Sequence, residues 1–134
     1  LAIPDEQVNV FQLVDAMTAA EGSAALASLH KLLDDEEPLM IFGMVTRQFR
    51  LLLLARAVID AGGGRDQILK QIGDVRSDFV AGKIYNQVRH WSAPTLEAIY
   101  RRLFEIDRDV KTGQVAVEVA LDQLVVEVCT GVRG

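Results

Sequence analysis

The segment that most constrains the fold runs from Pro38 to Ala61 and is apolar around most of a helix. Proline suits a first helical turn, and Gly62-Gly63-Gly64 is a strong stop, so one uninterrupted helix is predicted. Its broad apolar face consists of Leu39, Phe42, Val45, Phe49, Leu52, Leu53 and Ile59, flanked by Ile41, Met44, Leu51, Ala55 and Val58. Such a helix needs neighbours on most sides, which predicts a helical bundle built around it.

The sequence before this segment predicts two helices. Asn9 is predicted to cap a first helix that stops near Gly22, and Ser23 to cap a second. The acidic run Asp34-Asp35-Glu36-Glu37 precedes Pro38 and is interpreted as a helix start, because carboxylates favour the positive end of the helix dipole.

Beyond the glycines, apolar spacing predicts a short helix ending at Gly73, another from Asp78 to His90, and one capped by Ser92. The last segment, Gln114 to Thr130, fits a helix or a strand; the helix is favoured because no partner strand exists elsewhere. The 134 residues, half of them hydrophobic, suffice for a single domain spanning 1–134. The prediction is an all-α, compact bundle of about five to seven helices.

Composition and motifs exclude several function classes. The net charge of −5 and the scattered arginines argue against a free-standing binder of duplex DNA. The glycine run lacks the lysine and hydroxyl residue of a phosphate loop, and the two histidines, His30 and His90, lack metal-ligand spacing. Cys129 is predicted to be a buried apolar residue and Trp91 to pack a helix corner. We therefore expect no catalytic site, no cofactor, no bound nucleotide and no metal.

Some surface residues are better explained by an interface. The long helix has one side on which apolar residues are sparser, and this thin stripe carries Arg47, Arg50 and Leu54. On the last helix, the apolar back carries Val119 and Val126. Arginine is enriched at protein interfaces, and an exposed leucine between arginines has no better explanation within a monomer. We expect one of these two surfaces to meet a neighbouring subunit.

Four phrases occur in the same order in one family: Val10 to Ala16, Glu37-Pro38-Leu39, Arg47 to Leu52, and Asp107 through Lys111-Thr112-Gly113. Over nearly its whole length the chain resembles the C-terminal domain of the delta subunit of bacterial DNA polymerase III. The resemblance implies a collar domain in a clamp loader of five subunits, with the gamma/tau and delta prime subunits as partners. It also implies that a preceding region of the protein binds the sliding clamp and that primed DNA is contacted only within the complex. Delta itself is not expected to hydrolyse ATP.

Lys111 and Thr112 belong to that recurring family motif. They are predicted to lie at the exposed end of a helix, where the assembled loader could face the template strand. Asp107 and Lys111, four residues apart, suit an ion pair within the helix.

A second hypothesis is a ligand-binding effector domain of a transcription regulator, with Tyr100, Gln48 and Trp91 as polar groups in an apolar cavity. A helix-turn-helix in the upstream sequence would favour it. The chain begins with Leu1 and shows no signal peptide, so we expect a piece of a longer cytoplasmic protein.

Overall fold

A computed structural model describes residues 5–131, and the regular secondary structure in that range is entirely helical. The last segment is a helix rather than a strand, and the predicted all-α bundle is confirmed. The helices, in chain order, are α1 (Asp5–Thr18), α2 (Gly22–Asp35), α3 (Pro38–Asp60), α4 (Arg65–Gln71), α5 (Asp78–Val88), α6 (Ala93–Lys111) and α7 (Val117–Cys129).

The long apolar helix, α3, lies at the centre of the bundle and contacts every other helix. By length and hydropathy alone it could also cross a membrane. Its fully buried side chains instead join one core cluster to which all seven helices contribute. An apolar circumference is what a central bundle helix requires, because neighbours cover most of its sides.

Several helix boundaries follow from local chemistry as predicted. The Ser92 hydroxyl accepts a hydrogen bond from the backbone N–H of Thr95, and Pro94 lies in the first turn of α6. After α3 and α6 the chain turns through Gly62 and Gly113, whose φ angles are +92° and +75°. This left-handed conformation favours glycine because a Cβ would clash with the backbone.

Three predicted boundaries are wrong. Asn9 lies inside α1, which begins one turn earlier at Asp5, and Ser23 lies inside α2, whose N-cap is Glu21 without a side-chain cap bond. The acidic run does not simply start a helix, because Asp34 and Asp35 end α2. Glu36 and Glu37 have extended backbone and separate α2 from α3. The extended conformation of Glu37 is expected, because a proline disfavours helical backbone in the residue before it.

The corner between α5 and α6 is packed by Trp91, as predicted. Its ring meets Phe49 edge to face, with 5.8 Å between centroids, and its Nε1 donates to the Thr18 hydroxyl at 2.9 Å. The Arg56 guanidinium donates to the carbonyls of Val88 and Trp91 at 3.2 Å each. These bonds satisfy the polar groups of a buried corner and tie α3 to it.

A buried polar link joins three helices. The Gln48 amide of α3 donates to the Gln87 Oε1 of α5 at 2.7 Å, and both side chains are buried. Gln87 Nε2 donates in turn to the Phe11 carbonyl and the Asp15 carboxylate of α1, at 2.9 and 2.7 Å. Each buried amide therefore has a partner, and the contact fixes how α1, α3 and α5 pack together.

Candidate protein-docking surfaces

The predicted stripe on α3 lies at the surface. Leu54 is 40% exposed and Arg47 is exposed. Arg47 lines a cleft between α1 and α3, together with Glu6 and Met40. Arg50 forms an ion pair with Asp74 in the loop after α4. In order along α3, the stripe thus presents a cation, a charge pair and an apolar side chain, a combination that suits an interface rim.

The predicted face of α7 is also at the surface. Val119 and Val126 are 48% and 45% exposed and lie two helical turns apart. Val126 lines a shallow cleft with Asp122, Gln123 and Glu127. The Arg102 guanidinium of α6 donates two hydrogen bonds to the Glu127 carboxylate, at 2.8 and 3.3 Å. Hydrogen bonding to Glu127 is the main reason that the pKa of Arg102 is raised. Val126 of α7 and Arg47 of α3 line different clefts.

The C-terminal end of α6 carries the predicted DNA-facing edge. The Lys111 ammonium donates to the Asp107 carboxylate at 2.8 Å, so the predicted ion pair is confirmed. The Thr112 hydroxyl donates to the Arg108 carbonyl at 2.9 Å and helps to end the helix before Gly113. Both side chains are exposed, and Lys111 reaches solvent with most of its length.

A further surface, which the sequence reasoning missed, is an apolar groove between α3 and α6 of about 390 Å³. Leu39 was predicted to belong to the buried face of α3, but it is 64% exposed and stands at this groove. Phe104 of α6 is 75% exposed. We call this the α3–α6 groove; it is lined by Leu39, Phe42, Gly43, Thr46, Tyr100, Leu103, Phe104 and Asp107. The sequence contains a signal for this surface, because Tyr100, Phe104 and Asp107 are four and three residues apart and so share one face of α6.

Residues with the potential for catalysis or metal binding do not converge in residues 5–131. No group of three or more histidine, cysteine or acidic side chains there is arranged to hold a metal ion. His30 bonds Asp122 at 2.8 Å, whereas His90 lies exposed just after the end of α5. Cys129 is half-buried, and burial raises the pKa of its thiol, which disfavours the reactive thiolate.

The three residues of the effector-domain hypothesis are not brought together. Tyr100 lines the α3–α6 groove, Gln48 lines the cleft beside Arg47, and Trp91 lines a third cleft. The polar groups of Gln48 and Trp91 already bond other side chains. A ligand pocket needs convergent polar groups, so this hypothesis loses its structural basis.

The similarities to known proteins agree with one another. Residues 7–128 match the family described as DNA polymerase III delta subunit, C-terminal domain. The Bacillus subtilis DNA polymerase III subunit delta is 29% identical over 121 residues, which are 87% of this chain and 34% of that protein. The solved Bacillus subtilis DNA clamp loader delta protein superposes with a TM-score of 0.87 at 25% identity, over 98% of this chain and 38% of that one. The chain therefore spans about a third of these relatives, and none of the matches supports a transcription regulator.

Proposed function

Because the chain belongs to the family of C-terminal domains of the DNA polymerase III delta subunit, we propose that it is a non-catalytic assembly domain of the clamp loader. It forms one domain, residues 1–134, and contributes to a collar that holds the loader together. Its partners in that collar are the gamma/tau and delta prime subunits. The intact protein acts in the cytoplasm during DNA replication.

The observation that carries this proposal is the family match over residues 7–128. The surface supports it, because large apolar side chains remain exposed in a fold that already has a complete core. Exposed apolar patches commonly mark sites where proteins associate. Most of the exposed large apolar residues lie on α3, α6 and α7, so the domain has several faces for neighbouring subunits, and one, Phe79, lies on α5. Those on α3, α6 and α7 are Leu39, Met40, Leu54, Phe104, Val119 and Val126.

Within this proposal, Arg47, Arg50 and Leu54, or Val119 and Val126, contact a neighbouring subunit. Arg50 would arrive at such an interface already paired with Asp74. A pair held in place before binding loses little side-chain freedom, and the paired charge avoids the cost of burying a lone cation.

Lys111 and Thr112 form a DNA-facing edge only within the assembled complex. The net charge of −5 disfavours DNA binding by this domain alone. Lys111 can exchange its exposed Asp107 partner for a phosphate at small cost, since an exposed ion pair is worth at most about 1 kcal/mol. The sliding clamp is contacted by the region of the intact protein outside this chain.

Co-purification tests the proposal. The intact protein, carrying an affinity tag, is mixed with the purified gamma/tau and delta prime subunits of the same organism and analysed by size-exclusion chromatography. We expect a complex that contains all of them, and we expect a version lacking residues 1–134 to elute alone. A complex that forms equally well without this domain would refute an assembly role.

A further inference from the structure

The α3–α6 groove exposes more apolar surface than the packing of the bundle requires. Phe104 and Leu39, 75% and 64% exposed, stand on the two helices that form it, while Phe42 and Leu103 are buried between them. From Leu39 to Thr46 the α3 side is about 10 Å long at the helical rise, which matches two turns of a docked helix. Gly43 leaves the middle open, since a Cβ built there meets nothing within 4 Å.

One polar atom in the groove wall has no partner. The Thr46 hydroxyl oxygen is buried and makes no hydrogen bond to any residue within 5–131. A buried hydroxyl without a partner is unfavourable and uncommon in native proteins. A polar group in the groove could bond this oxygen only if the Thr46 side chain rotated towards the groove.

A run of four carboxylates, Asp34 to Glu37, directly precedes Pro38 and the groove residue Leu39 in the chain. Asp34 and Asp35 end α2, at the negative end of its dipole, and its last turn has no basic residue. Glu37 is the N-cap of α3, two residues before Leu39. No ion pair among the described residues includes any carboxylate from Asp34 to Glu37. The unpaired charge of Glu37, at the start of the helix that carries Leu39, therefore complements a cationic partner, and the rest of the run adds negative charge just before it in the chain.

We infer that the α3–α6 groove receives an amphipathic helix of a different protein in the assembly. That helix places apolar side chains, spaced three and four residues apart, between Leu39 and Phe104, and a lysine or arginine against the acidic run. The inference rests on the proposed assembly function and names the face that it uses. A second copy of this chain is disfavoured as the occupant, because its net charge of −5 repels the acidic run.

Two substitutions in the intact protein separate the groove from other exposed surface. Phe104→Glu should weaken binding of the gamma/tau and delta prime subunits at least about 10-fold, because a carboxylate in an apolar anchor site is left unpaired. Phe79→Glu is the matched control, since Phe79 is also an exposed phenylalanine, 59% accessible, but lies on α5. It should change the dissociation constant less than about 2-fold, as expected of residues outside the anchor site.

Charge reversal tests the acidic run. Glu37→Lys should weaken the same complex most at low salt and progressively less as screening increases, because exposed charges interact within the Debye length. Asp66→Lys makes the same change of charge on α4 and should have little effect. Equal effects of the two reversals, or a Glu37→Lys effect that is independent of salt, would overturn the cationic occupant.

Crosslinking identifies the occupant without relying on loss of binding. With Phe104→p-benzoylphenylalanine in the assembled complex, irradiation should link the groove to a peptide with helical apolar spacing and a basic residue in another subunit. A crosslink to a second copy or to the same chain, or none in a complex that forms, overturns the inference. If the unmodified protein forms no complex, the assembly function itself fails; if it does and Phe104→Glu binds equally well, only the groove fails.

Discussion

Replacing Gln87 with leucine tests whether the buried polar link holds α1, α3 and α5 in place. Leucine has a similar size but can neither accept the bond from Gln48 nor donate to the Phe11 carbonyl and Asp15. Gln48 is only 3% exposed, so its amide would remain buried without that acceptor. The perturbation thus removes hydrogen bonds while keeping most of the packing.

The expected magnitude follows from which groups lose their partners. The exposed Asp15 carboxylate is rehydrated, and the Phe11 carbonyl lies within α1, where the helix supplies another donor. The main penalty is the buried Gln48 amide, which costs about 1–3 kcal/mol when unpaired. For a chain of this size we expect Tm to fall by roughly 3–10 °C.

Thermal melting of the purified chain, followed by circular dichroism at 222 nm, measures this change. The matched control is the double variant Gln48→Leu with Gln87→Leu, which removes both amides and should lie within about 1 kcal/mol of the original chain. A Gln87→Leu variant as stable as the original would refute the reasoning. So would a double variant whose loss equals the sum of the losses measured for Gln87→Leu alone and Gln48→Leu alone.

Three further predictions concern the surface and the lone thiol. Leu54→Glu should cost about 1 kcal/mol of folding stability, because Leu54 is 40% exposed, but weaken clamp-loader assembly at least about 10-fold; unchanged pull-down would make the stripe ordinary surface. Lys111→Ala should change folding stability by under about 0.5 kcal/mol, yet lower the salt slope of DNA binding by the assembled loader by about 1; an unaltered DNA affinity would reduce Lys111 to its bond with Asp107. Because burial raises the pKa of Cys129, less thiolate exists at a given pH, and iodoacetamide at pH 8 should alkylate it more slowly in the folded chain than in urea; equal rates would contradict this.

The sequence predicted the helices well where two signals agreed. For α3, an apolar circumference coincided with Pro38 at its start and a glycine stop at its end, and the helix ends one residue before the predicted position. For α6, the Ser92 cap agrees with the apolar residues Leu96, Ile99, Leu103 and Ile106, which are spaced three and four residues apart and are buried. Such agreement is reliable because local capping and tertiary burial then favour one structure.

Where only a cap residue was available, the prediction failed. A cap is worth about 1 kcal/mol, so Asn9 and Ser23 can lie inside helices when burial extends those helices further. The docking surfaces show a different limit. Exposure of Leu54 followed from its place on the thin stripe, but the α3–α6 groove depends on which helices lie side by side. Leu39 and Phe104 are far apart in the sequence, and periodicity alone does not pair them.

Native mass spectrometry of the reconstituted clamp loader tests the assembly role most directly. The gamma/tau and delta prime subunits are combined with the intact protein, with a version lacking residues 1–134, or with the Phe104→Glu variant. We predict the mass of the full five-membered loader with the intact protein, its loss without the domain, and a depleted peak for the variant. A full loader mass of equal abundance in the absence of residues 1–134 would contradict the claim that this domain holds its protein in the complex.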